Sequence, residues 1–252
     1  MRHTTTVRPT KLTGPTTVII LAAEHVGRPN KSLYKLNGET ILDSQIRTLR
    51  KIFPVCEIIA ITGYDGERLL DYPIKVVENE RFEETNAVRD ISLALRVASY
   101  QNLLVLNNNI YFNEAAVDIF SYESRVLVKS GKNKTDVGCV VQGNVLNFVY
   151  GMDPKWEEIA FISYKDMPIF RDFCANRRNE KMFLHEALNK LVNRIQILPI
   201  EPQNAEVIKY ELPRHISERG TGTNQESAPD SARLLLECQQ DSPEELDTNG
   251  AN

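Results

Sequence analysis

The chain has 252 residues, 42% of them hydrophobic and 25% charged, which suits a globular protein of one large domain or two small ones. No apolar run approaches the roughly 20 residues of a membrane helix, and the N-terminus lacks a signal-peptide apolar core, so the expectation is a cytoplasmic protein, neither membrane-bound nor secreted. A formal net charge of −4 gives no general attraction to nucleic acid. Residues 1–15, rich in Thr, Pro and Arg, read as an N-terminal arm. The apolar run Thr17 to Ala23 is short and rich in β-branched residues, which predicts a strand buried on both faces. Ile41, Leu42, Ile46, Leu49 and Ile52 recur at helical spacing and predict a helix over 40–52. Further strands are expected at 57–62, 74–77 and 103–106, with a helix over 87–99 between the last two.

The second half is less regular. Short strands are expected at 125–129, 137–142 and 145–150, the last two joined by a turn at Gly143-Asn144. Helices are expected at 165–177 and 181–193, and closing strands at 195–200 and 206–210. Trp156 reads as a cap on the core. From Ser217 to Asn252 eight acids face two bases, which gives that segment −6 and leaves +2 for residues 1–216. This segment reads as a disordered acidic tail, with Leu234 to Leu236 as a docking motif or merely solvated. The domain proper is therefore expected over 16–216. The four cysteines and four histidines show no metal-ligand spacing, which excludes a structural zinc motif.

Alternating strands and helices predict an α/β fold with a mixed, mostly parallel sheet flanked by helices. Such sheets bind ligands beyond the carboxyl ends of their strands. That points to loops 24–38, 63–66 and 107–113. The first of them carries Gly27, Arg28 and Lys31, bases and backbone amides of the kind that cradle phosphate.

The order of these features resembles the sugar-1-phosphate and choline-phosphate nucleotidyltransferases, a GT-A-type, MobA-like NTP transferase family with a Rossmann-like fold. The resemblance rests on Leu21-Ala22-Ala23, Arg28, Lys31-Ser32-Leu33, Leu36-Asn37-Gly38, Thr62-Gly63-Tyr64, Asn79, Thr85-Asn86 and Ser92-Leu93. It implies that Ala22, Ala23, Gly27, Gly63, Tyr64, Asn79, Thr85, Asn86, Arg89, Asn107 and Asn109 surround a nucleotide or phospho-sugar ligand. It also implies that Arg28 and Lys31 act on phosphate in an active member, where Mg²⁺ is held by an Asp-x-Asp and a later acidic residue.

This chain departs from that pattern. Asn107-Asn108-Asn109 stands in place of Asp-x-Asp, and Glu24 and Val26 stand in place of two loop glycines. Mg²⁺ favours carboxylate oxygens, and a carboxylate at position 24 repels a triphosphate. Glu24 and Glu211 remain as carboxylates that could hold a metal, and Lys209 replaces an acid, either standing in for metal charge or pairing with Glu211. His25 reads as an exposed loop histidine, and Glu114 as a first-turn helix acid capped by Asn113.

Three readings follow. The first is a nucleotidyltransferase-like protein that has lost metal-dependent catalysis and needs no cofactor. It would be a ligand-binding or structural part of a larger assembly, such as a virion, with a protein partner or a second copy of itself. The second is an active, Mg²⁺-dependent nucleotidyltransferase acting on a sugar-1-phosphate or choline phosphate. The third, a glycosyltransferase with a nucleotide-sugar donor, also calls for the missing Asp-x-Asp.

Overall fold

The computed structural model describes residues 14–36, 38–119, 121–131, 134–142 and 145–210. The turn at Gly143-Asn144, Glu211, the acidic tail and all but the last two residues of the arm lie outside the described residues.

In chain order the elements begin β1 (Thr16–Ala22), β2 (Lys35–Leu36), β3 (Glu39–Thr40), α1 (Ile41–Ile52), β4 (Cys56–Thr62), β5 (Lys75–Glu78) and α2 (Ala87–Val97). Next come β6 (Asn102–Asn107), β7 (Ile110–Phe112), α3 (Glu114–Val117), β8 (Ser124–Lys129), β9 (Val137–Gln142) and β10 (Val145–Tyr150). The described chain ends with β11 (Lys155–Ile162), α4 (Met167–Ala175), α5 (Leu184–Leu191), β12 (Ile197–Ile200) and β13 (Val207–Lys209). The main sheet runs β10-β9-β11-β6-β1-β4-β5, and β8 joins it by pairing with β11 and with β12. Strands β6, β1, β4 and β5 are mutually parallel, while β11, β9 and β10 run antiparallel to their neighbours.

The alternation within β1 explains why it needs a continuous apolar run. Val18 and Ile20 point to one face and join Leu42, Ile46 and Leu49 of α1. Ile19 points to the other and joins Val88, Ile91 and Leu95 of α2. Both faces are covered, so the strand has no solvent side to mark with polar residues. The α1 start is fixed by Thr40, whose hydroxyl accepts from the Asp43 N–H at 3.0 Å.

The expected elements of the first half are present with ends shifted by a residue or two. In the second half, the helix expected from 181 begins at Leu184, because the Glu186 carboxylate accepts the Phe183 N–H at 2.8 Å and sets the first turn there.

Sequence reasoning missed β11. Its Glu157-Glu158 pair interrupts an otherwise apolar run. A bulge between Trp156 and Ala160 absorbs the interruption, with Glu158 at φ +60°. Trp156 is buried in the core and donates from Nε1 to the Ile159 carbonyl at 3.2 Å, across that bulge.

Phe161 lies fully buried on β11, a strand that links the parallel half of the sheet to the antiparallel half. Phe161→Ala is expected to cost about 3–5 kcal/mol, read from urea unfolding midpoints at an unchanged slope.

Candidate functional site

Strand β1 pairs with β6 on one side and β4 on the other, so the chain reverses its winding direction there and leaves a crevice beyond the strand ends. A cleft of about 890 Å³ occupies that position. Its walls come from the loop after β1, the Asn107–Asn109 turn, the start of α2, and single residues from β11 and β13.

The loop after β1 is held by its own side chains. Glu24 is 6% exposed, and its carboxylate accepts from Asn108 Nδ2 at 3.0 Å and Lys31 Nζ at 3.3 Å. Asn30 accepts from the Ser32 N–H at 3.0 Å and from Asn108 Nδ2 at 3.3 Å, which fixes the single turn that carries Lys31. Farther out, Glu83 accepts from the Val26 N–H at 2.6 Å and sits 3.0 Å from His25 Nδ1. The Val26 N–H and His25 together hold the Glu83 carboxyl below the usual carboxylate range. Gly27 takes φ +75° and lets the loop turn back between them. Two carboxylates therefore engage groups with which a loop of this kind meets phosphate: Glu24 the Lys31 ammonium, Glu83 a backbone amide.

The three asparagines after β6 behave alike. Asn107 Nδ2 donates to Glu158, Asn108 Nδ2 to Glu24, and Asn109 Nδ2 to the Tyr210 carbonyl at 3.1 Å. An amide beside a carboxylate must present its nitrogen, so the first two orientations follow from their partners. Glu158 also accepts from Lys209 Nζ at 2.7 Å. The pairing with Glu211 expected from sequence lies outside the described residues; within them, Lys209 pairs with Glu158. That pair follows from the bulge, which turns Glu158 into the cleft.

This donor set does not fit a divalent cation. Glu24 and Glu158 each already bear an amide and an ammonium, and their neighbouring amides offer nitrogen rather than oxygen. Among the described residues no group of three or more His, Cys, Asp or Glu could hold a metal ion.

The opposite wall is tied across the chain. Arg81 makes paired bonds of 2.9 and 3.1 Å to Glu180, and the Asn86 N–H donates to the Glu180 carbonyl at 3.0 Å. Asn86 Nδ2 donates to the Lys181 carbonyl at 2.8 Å. Asp90 lies in the cleft wall, accepts from Asn79 Nδ2 at 2.8 Å, and has its carboxyl pushed up to about 7 by burial.

Of the residues named from sequence, Ala23, Glu24, Gly27, Arg28, Lys31, Thr85, Asn86, Asn107 and Asn109 line this one cleft. Ala22, Gly63, Tyr64, Asn79 and Arg89 stand behind it. Ala22 is buried in the core. Gly63 has no room for a side chain, since a Cβ would come within 2.5 Å of the Phe82 ring that lines the cleft. The Tyr64 N–H braces the loop by donating to the Glu24 carbonyl at 3.2 Å. Asn79 donates to Thr85 and Asp90. Arg89 Nε is buried with no hydrogen-bond partner among the described residues. His25 is exposed as expected, and pairs with Glu83.

Sequence reasoning missed Asp90, Glu158, Phe82 and Phe183. Asp90 gave one signal, an acid in the first turn of a helix beside Thr85-Asn86. The other three gave none, because a bulge and two loops bring them in.

Residues 18–117 match the MobA-like NTP transferase domain. No curated protein matches the chain. Among solved structures, the inositol-1-phosphate CTP transferase from T. maritima superposes with a TM-score of 0.62 at 15% identity, over 80% of this chain and 91% of that one. CTP:phosphocholine cytidylyltransferase (LicC) from Streptococcus pneumoniae gives 0.62 at 16%, over 78% and 93%. HddC from Yersinia pseudotuberculosis, complexed with GMP-PN, gives 0.52 at 13%, over 77% and 92%.

The Asp90 carboxyl makes stability depend on pH. Its folded-state pKa is raised, so its contribution is full below the unfolded value near 4 and is lost as pH climbs to about 7. Asp90→Asn keeps an acceptor for Asn79 and removes this loss. Its stabilising effect is expected to grow by roughly 2–3 kcal/mol between pH 5 and pH 7 and then level off, as read by denaturant unfolding at each pH.

The strand order, the cleft at the switch point and the matched stretch agree: the chain has the nucleotidyltransferase fold, and its residues 18–117 resemble the MobA-like NTP transferase domain.

Proposed function

We propose that this chain is a nucleotidyltransferase-fold protein that has lost metal-dependent catalysis and acts as a ligand-binding or structural component of a larger complex. The reading rests on one observation: the cleft satisfies its own charges through the Glu24–Lys31 and Glu158–Lys209 pairs. Nucleotidyl transfer builds negative charge on phosphates, and its acceleration comes from cations aimed at that charge. Here Lys31 faces a built-in carboxylate, and Glu158 faces a built-in ammonium. A nucleotide or phospho-sugar remains the ligand class that the fold suggests, since solved relatives include one in complex with GMP-PN. The assembly role draws support from Val141, Val149 and Tyr150, apolar residues exposed on the hairpin that ends the sheet.

The full chain incubated with Mg²⁺, each of ATP, CTP, GTP and UTP, and either a sugar-1-phosphate or phosphocholine is expected to release no pyrophosphate above the protein-free rate. Turnover that depends on Mg²⁺ would overturn the reading and restore the active nucleotidyltransferase. A separate outcome is expected for Glu24→Gln, which strips the charge opposing Lys31. Inorganic pyrophosphate should bind this variant roughly tenfold more tightly than the parent, a difference of about 1.4 kcal/mol by calorimetry.

A further inference from the structure

A surface beside the cleft carries cations that the fold leaves unpaired. The stretch 177–181 reads Arg-Arg-Asn-Glu-Lys. Its one acid, Glu180, is taken by Arg81 through paired bonds of 2.9 and 3.1 Å. Arg177, Arg178 and Lys181 are exposed and have no ion pair among the described residues. Other bases, such as Arg47, Lys51, Lys75 and Lys165, each hold a carboxylate. Two residues beyond Lys181, the Phe183 ring is 51% exposed and stacks on His185 at 5.8 Å between centroids. We infer that residues 234–247 of this same chain dock on the surface formed by Arg177, Arg178, Lys181 and Phe183, so that the chain leaving one wall of the cleft returns to the other. This docking goes beyond the proposed function and holds whether or not the cleft turns over a substrate.

The backbone fixes where these side chains project. Asn176 accepts from the Arg178 N–H at 3.0 Å and caps the single turn Arg177–Asn179. Asn179 Nδ2 donates to the Phe173 carbonyl at 2.9 Å and ties the turn to α4. The Asn86 N–H and Nδ2 hold the carbonyls of Glu180 and Lys181 at 3.0 and 2.8 Å. Asn86 and Phe183 line the cleft, and so does Tyr210, where the described chain ends. Two bonds staple Tyr210 to the asparagine turn: its N–H donates to the Asn109 carbonyl at 2.7 Å, and its carbonyl accepts from Asn109 Nδ2 at 3.1 Å. The acidic segment thus leaves the fold from the same cleft that the basic turn borders.

The order of residues in the segment matches the surface. Leu234, Leu235 and Leu236 come first, then Glu237, Asp241, Glu244, Glu245 and Asp247 with no base among them. Three apolar side chains suit the exposed ring, and five acids suit three unpaired cations crowded into five residues. The 23 residues from Glu211 to Arg233 reach at most about 80 Å when extended, ample to pass from one wall to the other. A covalent tether supplies its segment at an effective concentration on the order of millimolar, so individually weak surface pairs suffice.

The test uses the full chain and a carbodiimide, which joins a carboxylate to an ammonium in direct contact. Mass spectrometry is expected to find Lys181 linked to one of the five acids within the monomer band. A mixture of heavy-isotope and ordinary chains should give this product without heavy–light pairs. In 1 M salt, where the screening length is about 3 Å, its yield should fall at least fivefold. Arg177→Gln combined with Arg178→Gln should lower it similarly, with circular dichroism and the melting temperature establishing that the variant folds. A second readout leaves the surface intact. Neutralising the five acids to Gln and Asn should speed phenylglyoxal labelling of Arg177 and Arg178 at least threefold, while Arg47 on α1 labels at an unchanged rate. Failure to find the Lys181 product, acids linked to lysines all over the body without preference, links only between heavy and light chains, or labelling indifferent to neutralisation would each overturn the inference.

Discussion

A carboxylate that is 6% exposed must be compensated where it stands, and Glu24 imposes that requirement on everything around it. Lys31 has to bend back from its turn to supply charge, and Asn108 has to present nitrogen rather than oxygen. Asn108 in turn reaches Asn30, which shapes the turn that carries Lys31. The ring is closed: each member holds the next in the orientation that the first one needs. Removing one member leaves a buried charge or a buried donor, and leaving one partner of such a set unpaired costs several times what the pair contributes when whole.

The same logic separates what sequence could disclose from what it could not. The two-sided burial of β1, β4 and β6 writes itself as uninterrupted apolar runs, and the helical spacing of Ile41 to Ile52 marks α1. The replacement of acids by Asn107–Asn109, and of a glycine by Glu24, was legible because each change alters charge or bulk at a place defined by its neighbours in the chain. Asn113 could likewise be read as a helix cap, and its side chain does accept from the Ala116 N–H at 3.2 Å. What these groups do instead was not legible. Glu158 reaches the cleft through a bulge in a strand whose middle is acidic, and nothing in the local pattern announces a residue at positive φ. Lys209 drew attention by its position, yet its pairing with Glu158 spans 51 residues and could be found only in three dimensions. Phe82 enters from the loop before α2 and Phe183 from the loop before α5.

Behind the cleft, several family-like residues serve the walls rather than the cavity. Gly63 leaves room for the Phe82 side chain to approach the backbone closely, and Asn79 spaces Thr85 and Asp90. Retention of such residues is compatible with a changed chemistry, because the shape of the crevice depends on them whether or not a metal is used. Conversely, of the residues altered from the family pattern, Glu24, Asn107, Asn108, Asn109 and Lys209 line the crevice, while Val26 is exposed outside its lining.

The staple between Tyr210 and Asn109 also bears on when the cleft comes into being. All seven strands along the main sheet path are complete by Ile162, and both cores gain most of their residues before Ile200. The wall that carries Lys209 and Tyr210 is the last of the described chain to be made. During vectorial synthesis the sheet can form while the end of β6 is still uncovered, with Glu158 facing water on that side. The charge balance of the crevice is thus an end product of folding, set by a three-residue strand that closes over a framework already standing.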